Sequence, residues 1–353
     1  MRIIHTSDLH LYSPLGARLS PLEARRRRME LTETLRRIID SAVSEGAEAV
    51  IIAGDLFDSQ SVGRREAQEI ADAMARAERI TFLYLPGNHE REALRASGAV
   101  LPDNLKIFER DWSYFKISGV CFFGRSELSE GCFDTLALDP DKINVGVLHG
   151  SLTELSGKES VGRRDILHRP IDYLALGHYH SYSQEQLSPR TCAVYSGTPE
   201  GRGFDECGVK GYVRIDVNEW GVSHTLVPFA RRRLHTLEVD VTGALSESEI
   251  EDRLRTALLP IQSADLVRCV LVGVRELGIR REVEALGERL RGELFYLEVL
   301  DKTRLGIKPE DYKNDVSLKG EFIRLTLGET GLDADERDGI IELGLRALMG
   351  EEL

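Results

Sequence analysis

Residues 50–58 read VIIAGDLFD, an apolar run that ends abruptly in a glycine and two carboxylates, Asp55 and Asp58. Short runs rich in Val and Ile that are bounded by Gly and polar residues are typical of buried strands. The carboxylates are therefore predicted to lie at the end of a strand. In α/β sheets this is the edge at which sites are assembled from several loops.

Four further polar clusters follow apolar runs in the same way. The runs are residues 3–4, 82–85, 145–148 and 173–176, and the clusters after them are Asp8-Leu9-His10, Gly87-Asn88-His89-Glu90, His149-Gly150 and Gly177-His178-Tyr179-His180. The recurrence predicts an α/β fold in which several strands deliver polar side chains to one place.

The residue types in these clusters indicate a metal site. Asp carboxylates, an Asn amide and several imidazoles occur together without a cysteine, which suits divalent Mn, Fe, Zn or Co rather than a structural zinc site. Eight candidate positions are too many for one ion and suit two. Two ions roughly 3.5–4 Å apart can clamp a phosphate and hold the attacking and leaving oxygens in line.

Length and composition restrict the class of protein. A chain of 353 residues with 42% hydrophobic and 30% charged residues predicts two or three globular domains. No secretory signal and no apolar stretch near the ~18 residues of a membrane span can be recognised. The five cysteines form no metal-type pairs, which indicates reduced thiols in a cytoplasmic protein. The lack of a long apolar stretch predicts that the protein has no membrane anchor.

The net charge of −13 is unevenly distributed. From His235 onward there are 26 Asp and Glu against 16 Lys and Arg, whereas the preceding residues have 33 against 30. The acidic excess thus belongs to the C-terminal part, and a phosphate-binding face in the N-terminal part is not excluded. Arg25, Arg28 and Arg36 share one side of a predicted helix, which we interpret as a solvated face in preference to a DNA contact.

Periodicity predicts three segments, residues 1–230, 235–302 and 303–353. In the first, a helix begins at the capping box Ser20-Pro21-Leu22-Glu23 and ends at Gly46, and a second helix covers 64–77. Strands are predicted at 2–6, 80–85, 106–108, 114–117, 120–123, 143–148, 171–176, 191–195 and 212–217, with another that ends at Asp55. The second segment alternates strands 234–241, 266–274 and 295–300 with helices 246–259 and 280–290, which predicts a small α/β module.

Several segments allow two interpretations. The Gly-rich loop 196–206 is either a turn or a substrate contact, and residues 227–233 are a candidate linker. Residues 303–319 are predicted to be irregular, and 321–327 to be either helix or strand. An amphipathic helix at 335–349 either packs on its own domain or binds a partner chain.

All the clusters together, in this order, resemble the calcineurin-like metallophosphoesterase superfamily over residues 2 to about 217. The resemblance implies a two-sheet sandwich flanked by helices, with the later α/β module as a capping domain. It also implies that Asp8, His10 and His180 bind one metal ion. Asn88, His149 and His178 would bind a second, and the Asp55 carboxylate would bridge the two.

The resemblance implies that His89 is catalytic rather than a ligand. Two dications lower the pKa of a bridging water, so that hydroxide is available near neutral pH to attack phosphorus. A histidine that titrates near pH 6.5 is suited to protonate the leaving oxygen. Asp58 is predicted to orient a ligand histidine, and His5 to be a core histidine. Three further histidines without a motif are predicted to be structural or exposed: His168, His224 and His235.

Further motifs are similar to SbcD-type DNA-repair nuclease subunits. They are Ser7-Asp8-Leu9-His10-Leu11, Tyr195-Ser196-Gly197-Thr198-Pro199-Glu200 and Gly203-Phe204-Asp205-Glu206, while Asp315-Val316-Ser317-Leu318-Lys319-Gly320-Glu321-Phe322 resembles the YhaO-type branch. The sequence departs from many relatives at Tyr12, where they have Gly, and at Glu90, where they have Asp.

This likeness implies a Mn²⁺-dependent DNA exonuclease, with single-strand endonuclease activity as a second mode. The implied partners are DNA, a second copy of the chain and an SbcC-type coiled-coil ATPase that supplies much of the DNA-binding surface. Two alternatives stay open. One is a small-molecule phosphodiesterase or nucleotidase, and the other is a non-catalytic scaffold that binds DNA ends or the ATPase.

Overall fold

The computed structural model describes residues 1–13, 15, 19–59, 61–87, 90, 92–275, 283–306 and 312–348. The chain forms two compact units, Met1–Arg233 and Leu234–Leu353. The predicted α/β fold is confirmed, since the first unit contains two multi-stranded sheets with helices beside them. The finer division at residues 230, 235 and 303 stays a prediction.

The first sheet has six strands within the described residues. They are β1 (Arg2–Thr6), β2 (Ala49–Ala53), β3 (Thr81–Leu85), β4 (Leu105–Ile107), β13 (Gly211–Asn218) and β14 (Gly221–Pro228). Their order across the sheet is β14-β13-β1-β2-β3-β4. Strands β1 to β4 are parallel to one another, so the carboxyl ends of β1, β2 and β3 meet at one edge.

The second sheet has the order β11-β12-β10-β7-β6-β5 in the part of the chain that is described. Its strands are β5 (Ser113–Ile117), β6 (Val120–Gly124), β7 (Asn144–His149), β10 (Tyr173–Gly177), β11 (Ser183–Gln186) and β12 (Cys192–Tyr195). Strands β7 and β10 are parallel neighbours, and Gly177 pairs with His149 at their ends. A small separate pair consists of β8 (Ser151–Thr153) and β9 (Ser160–Gly162).

Alternation along the strands separates the apolar residues of the first unit into layers. Ile4, Val50 and Ile52 point into a core shared with the long helices, whereas Ile3 and Ile51 point into a core between the two sheets. This period of two is what a strand buried on both faces requires. The helices of the unit are α1 (Pro21–Ser44), α2 (Arg64–Arg76), α3 (Ala93–Ala96) and α4 (Arg163–Ile166), with a 3₁₀ turn at Cys132–Thr135.

The second unit has a parallel sheet of its own. Its elements are β15 (Leu234–Asp240), α5 (Glu247–Leu258), β16 (Leu266–Val272), β17 (Val274–Arg275), α6 (Val283–Leu290), a 3₁₀ turn Arg291–Glu293, β18 (Tyr296–Asp301), β19 (Arg304–Leu305), α7 (Leu318–Gly328) and α8 (Ala334–Leu348). Strands β15, β16 and β18 form the sheet, and Leu254, Cys269 and Leu297 belong to its core. Ile323 of α7 packs with Ile341 and Leu345 of α8.

Most predicted elements of the first unit are confirmed, including the capping box of α1, in which Ser20 and Glu23 bond each other's backbone N–H. The predicted linker is wrong at Val227 and Pro228, which pair with β13 as the last residues of β14. The prediction missed this edge strand because proline is tolerated where one side of a strand is unpaired.

In the second unit, residues 303–319 are not wholly irregular, since they include β19 and the first residues of α7. The 321–327 segment, predicted as helix or strand, is helical, and Ser317 caps it. The predicted terminal helix is also present, and it packs against its own unit. Residues 280–282 of the predicted fourth helix and residue 349 of the terminal helix lie outside the described residues.

Two of the finer expectations concern thiols and membranes. All five cysteines are free, as predicted. Among the described residues, no helix combines the length and the apolar composition that crossing a membrane requires.

A buried charge network fastens the 196–206 loop to α1. Glu200 is 2% exposed and accepts a hydrogen bond from Nη1 of Arg27 at 2.9 Å. It also accepts the backbone N–H groups of Arg231 and Arg232 at 2.7 and 3.1 Å. Glu30 lies beside Arg27 at 3.2 Å and binds Arg232 through Nε at 2.8 Å. Charges this deeply buried are stable only when each is paired.

Replacing Arg27 by Met keeps most of the side-chain volume but removes a partner from Glu30 and Glu200. We expect the free energy of unfolding of the first unit to fall by about 3 kcal/mol. Urea unfolding followed by tryptophan fluorescence measures this change, because both tryptophans, Trp112 and Trp220, lie in that unit.

The matched control is Arg28→Met, which changes an exposed arginine on the same helix. Its effect should stay below about 0.5 kcal/mol. Equal stabilities of the two variants would contradict the role given to the network.

Candidate metal centre

The polar clusters that follow β1 and β2 are joined by backbone hydrogen bonds. The N–H of Asp8 donates to the carbonyl of Gly54 at 3.0 Å, and the N–H of His10 donates to the carbonyl of Asp55 at 2.9 Å. Asp8, His10 and Asp55 have φ angles of 51°, 44° and 51°, in the left-handed region that residues other than glycine rarely adopt. His178 after β10 has φ 105°. Such strained residues cluster at functional sites, where the surrounding structure holds them in place.

Two groups of metal-ligating side chains meet at this edge. Asp8, His10 and His180 form one group, and Asp8, Asp55 and His149 form the other, each with donor atoms within 4.8 Å of one another. In the first group the Nε2 atoms of His10 and His180 are 3.2 Å apart. Asp8 therefore belongs to both groups, whereas the sequence assigned it to the first alone.

Asp55 belongs to the second group and also lies close to the first. Its Oδ2 atom is 3.7 Å from Nε2 of His10 and 3.4 Å from Nε2 of His149. This is the position that a bridging carboxylate would need, although the bridging role itself stays a prediction.

The remaining predicted site residues are placed differently. The backbone N–H of His178 donates to both carboxylate oxygens of Asp8, at 3.0 and 3.1 Å. Its ring lies beside that of His149, with centroids 5.5 Å apart, but it joins neither ligand group within the described residues. Asn88 and His89 lie outside the described residues, so their predicted roles stay predictions.

Three histidines present Nε2 to the centre, and an oxygen atom lies close to the other ring nitrogen, Nδ1, of each. The Nδ1 atom of His149 is 2.9 Å from the carbonyl of Ala53, that of His10 is 2.9 Å from Oδ1 of Asp58, and that of His180 is 2.7 Å from Oε1 of Glu206. A proton held at Nδ1 by such an acceptor leaves the lone pair of Nε2 for a metal. Asp58 contacts His10 on this side of the ring, and its expected role of orienting a ligand histidine stays a prediction.

Burial shapes the electrostatics of the centre. Asp8 is fully buried, and desolvation raises its pKa to about 6. Burial also lowers the pKa of His10 to about 4. Burial alone would lower the pKa of His149, but the hydrogen bond and negative charge of Asp55, together with the charge of Asp8, outweigh this effect and raise the pKa to about 9. Two buried carboxylates and several imidazole nitrogens, with no thiolate, fit divalent cations with oxygen and nitrogen preferences.

Glycines allow the ligands to approach one another closely. A Cβ on Gly54 would lie 2.1 Å from Nδ1 of His149, and one on Gly87 would lie 2.1 Å from Oδ1 of Asp55. These two glycines of the polar clusters therefore leave the space that the donor atoms need to lie close together.

Sequence reasoning assigned no function to Glu90. Its fully buried carboxylate accepts the backbone N–H of Leu56 at 2.7 Å and that of Phe57, the two residues that follow Asp55. Burial raises the pKa of Glu90 to about 7. A carboxylate in the polar cluster that follows the buried strand β3 was the available signal, because a carboxylate needs hydrogen-bond donors wherever it is enclosed.

Glu206 and Arg202 were also missed. The 196–206 loop, which had been interpreted as a turn or a substrate contact, brings Glu206 against His180. Burial would raise the pKa of Glu206, but hydrogen bonds from His180 and Arg202 lower it to about 2. An Arg and a Glu four residues apart in a Gly-rich loop were the only trace of this arrangement in the sequence.

The histidines without a motif behave as predicted. His5 is buried beside the hydroxyl of Tyr173 at 3.0 Å, and burial lowers its pKa to about 3. His168 is exposed, His224 bonds Gln184, and His235 bonds Asp265. Arg25, Arg28 and Arg36 are exposed on α1.

Comparison with known proteins gives a family match over the first unit. The profile described as "Calcineurin-like phosphoesterase" matches residues 1–204. Among solved structures, the protein TT1561 of Thermus thermophilus is 16% identical with a TM-score of 0.41, over 64% of this chain and 98% of that chain.

The curated relatives are distant in sequence. The metallophosphoesterase YhaO of Bacillus subtilis (strain 168) is 26% identical over 69% of this chain and 64% of its own length. The DNA double-strand break repair protein Mre11 of Sulfurisphaera tokodaii is 26% identical over 61% of this chain and 59% of its own length. Mre11 of Methanopyrus kandleri is 24% identical over 99% of this chain and 82% of its own length. The chain therefore spans less than two thirds of the first two relatives.

Replacing Gly87 by Ala should displace Asp55, because the new methyl group would lie 2.1 Å from its carboxylate and 2.6 Å from its backbone nitrogen. We expect the affinity for Mn²⁺ to fall about 10-fold or more. Isothermal titration calorimetry of the metal-free protein measures the loss.

Gly339→Ala serves as the control, because nothing lies within 4 Å of a Cβ at that helical position. Circular dichroism establishes that both variants fold. Unchanged Mn²⁺ binding by folded Gly87→Ala would argue against the close contact with Asp55.

Proposed function

Because this chain belongs to the calcineurin-like phosphoesterase family, we propose that it is a Mn²⁺-dependent nuclease that hydrolyses DNA in repair. Exonuclease activity is the main mode, with endonuclease activity on single strands as the second. The observation that carries the proposal is the pair of ligand groups that share Asp8, with Asp55 in the second group and close to the first. The family supports metal-dependent phosphoester chemistry, and the printed names of the Mre11 relatives suggest DNA as the substrate.

In this proposal seven residues hold two divalent ions, with Fe, Zn or Co as alternatives to Mn²⁺. Asp8, His10 and His180 hold one ion, Asn88, His149 and His178 hold the other, and Asp55 contacts both. When bound, the ions would supply positive charge to the phosphate and lower the pKa of a water so that it can attack phosphorus.

The chain's own residues would orient the site and move a proton. The backbone N–H of His178 holds both oxygens of Asp8 and so fixes the direction of that carboxylate. The ring of His89 would donate a proton to the leaving alkoxide oxygen, since a histidine that titrates near pH 6.5 can give up a proton at neutral pH.

Two exposed tyrosines beside the ligands favour a nucleic acid. Tyr12 is two residues from His10, is 38% exposed and lies parallel to Phe57. Tyr179 stands between His178 and His180 in the chain, is 46% exposed and contacts the ring of Tyr195 at a centroid distance of 4.7 Å. Aromatic rings that are supported from behind and open in front are suited to stack on unpaired bases.

The proposed partners are DNA, a second copy of the chain and an SbcC-type ATPase, in the cytoplasm. The net charge of −13 argues against strong DNA binding by the chain alone, since DNA affinity depends on the number of cations that contact phosphates. A partner that contributes basic surface would resolve this conflict.

The proposal is tested by hydrolysis with Mn²⁺ of three substrates: a labelled single DNA strand, a chromogenic phosphodiester and a nucleotide. We expect DNA to be degraded. Asp55→Asn should abolish the activity, since it removes the negative charge of the carboxylate that lies near both His10 and His149. His89→Ala should keep the metal and lose turnover.

Cleavage of the small phosphodiester alone, even with the ATPase present, would favour the small-molecule enzyme. Full activity of His89→Ala would contradict the proton transfer. Metal binding without hydrolysis of any substrate would favour the scaffold.

Replacing Tyr179 by Leu should raise the KM for single-stranded DNA about 10-fold, the loss expected for one stacked base. Hydrolysis of the chromogenic phosphodiester should change much less, because it has no base to stack. The control is Tyr114→Leu, which changes a tyrosine on β5 that is 43% exposed. Equal losses on both substrates would mean that Tyr179 supports the ligands instead.

A further inference from the structure

Each histidine of the first ligand group is supported from behind by a carboxylate. Oδ1 of Asp58 is 2.9 Å from Nδ1 of His10, and Oε1 of Glu206 is 2.7 Å from Nδ1 of His180. The two carboxylates come from distant parts of the chain, the loop after β2 and the 196–206 loop.

One arginine connects these two carboxylates. Nη2 of Arg202 donates to Oε1 of Glu206 at 2.7 Å, and Nη1 lies 3.6 Å from Oδ1 of Asp58. The backbone N–H of Arg202 also donates to Oε2 of Glu206, at 2.7 Å. The guanidinium therefore closes a chain of contacts that runs from His10 to His180 through charged groups alone.

The contact between Arg202 and Glu206 is shielded from solvent and held in place by its surroundings. The side chain of Glu206 is 3% exposed and that of Arg202 15%, so solvent screens their attraction little. The backbone that carries Arg202 is held in turn, because Arg27 donates to the carbonyl of Gly201 and to the carboxylate of Glu200.

The second ligand group is supported differently. Nδ1 of His149 lies 2.9 Å from the carbonyl oxygen of Ala53, a backbone atom at the end of β2. On the Nδ1 side of this ring the contact is therefore an atom of the sheet backbone and not a charged side chain. A change at Arg202 should consequently affect one group and spare the other.

We propose that Arg202 is a positioning residue for the first ligand group, which through Asp58 and Glu206 aims Nε2 of His10 and His180 at a common point. This inference rests on the metal-binding role in the proposed function. A lysine cannot replace the arginine, because a single ammonium group lacks the planar fork that reaches two carboxylates.

The test is a titration of the metal-free full-length protein with Mn²⁺, with free Mn²⁺ measured by electron paramagnetic resonance. The wild-type protein should bind two ions. Arg202→Met should bind one of them with wild-type affinity and the other about 10- to 100-fold more weakly, which is the range for loss of a group behind a metal ligand. Arg202→Lys should show most of the same loss.

Two further variants separate positioning from general destabilisation. Arg95→Met removes an exposed arginine that grips Glu109 through two hydrogen bonds, and it should leave both affinities unchanged. In Glu206→Gln combined with Arg202→Met, the two losses should not add, since the arginine acts through Glu206.

The outcomes distinguish this inference from the proposed function. Two ions bound by Arg202→Met with wild-type affinities would overturn the inference and leave the function standing. Equal weakening of both ions would also overturn it, because a purely structural role does not discriminate between the groups. A wild-type protein that binds no Mn²⁺ would overturn the proposed function and the inference with it.

Discussion

Two carboxylates that are almost completely removed from water, Asp8 and Asp55, are the constraint on which the rest of the centre depends. They follow adjacent parallel strands, and each raises the cost of ionising the other. Hydrogen bonds and positive charge from neighbouring groups offset this cost. The backbone N–H of His178, for example, donates a hydrogen bond to Asp8. A divalent cation is the partner that buried oxygens of this kind bind best.

The strands that deliver these residues could be predicted because their apolar runs are buried on both faces and end in polar clusters. The polar edge strand β11 escaped prediction because all four of its residues are exposed and carry no apolar pattern. Edge strand β14 escaped because it ends in a proline, a residue that indicated a linker. The pattern of apolar residues in a sequence indicates which strands are buried, and few residues of these two strands are buried.

The supporting residues of the centre were less accessible to sequence reasoning. The prediction for Asp58 named no particular histidine, and Glu206 was missed, because their partners lie 48 and 26 positions away and the pairing exists only after the sheets have formed. Glu90 illustrates the same point, since its partners are backbone N–H groups, which leave no mark in the sequence. Ligand types can be predicted from chemistry, whereas the groups behind them depend on tertiary packing.

Three of the four outer strands of the two large sheets in the first unit are poor sites for the addition of another strand. Strand β11 presents only exposed polar side chains, β14 ends in Pro228, and β4 has three residues. Short, polar or proline-terminated borders resist the addition of a foreign strand and so protect against aggregation. Addition of a foreign strand beside β4, β11 or β14 is therefore disfavoured.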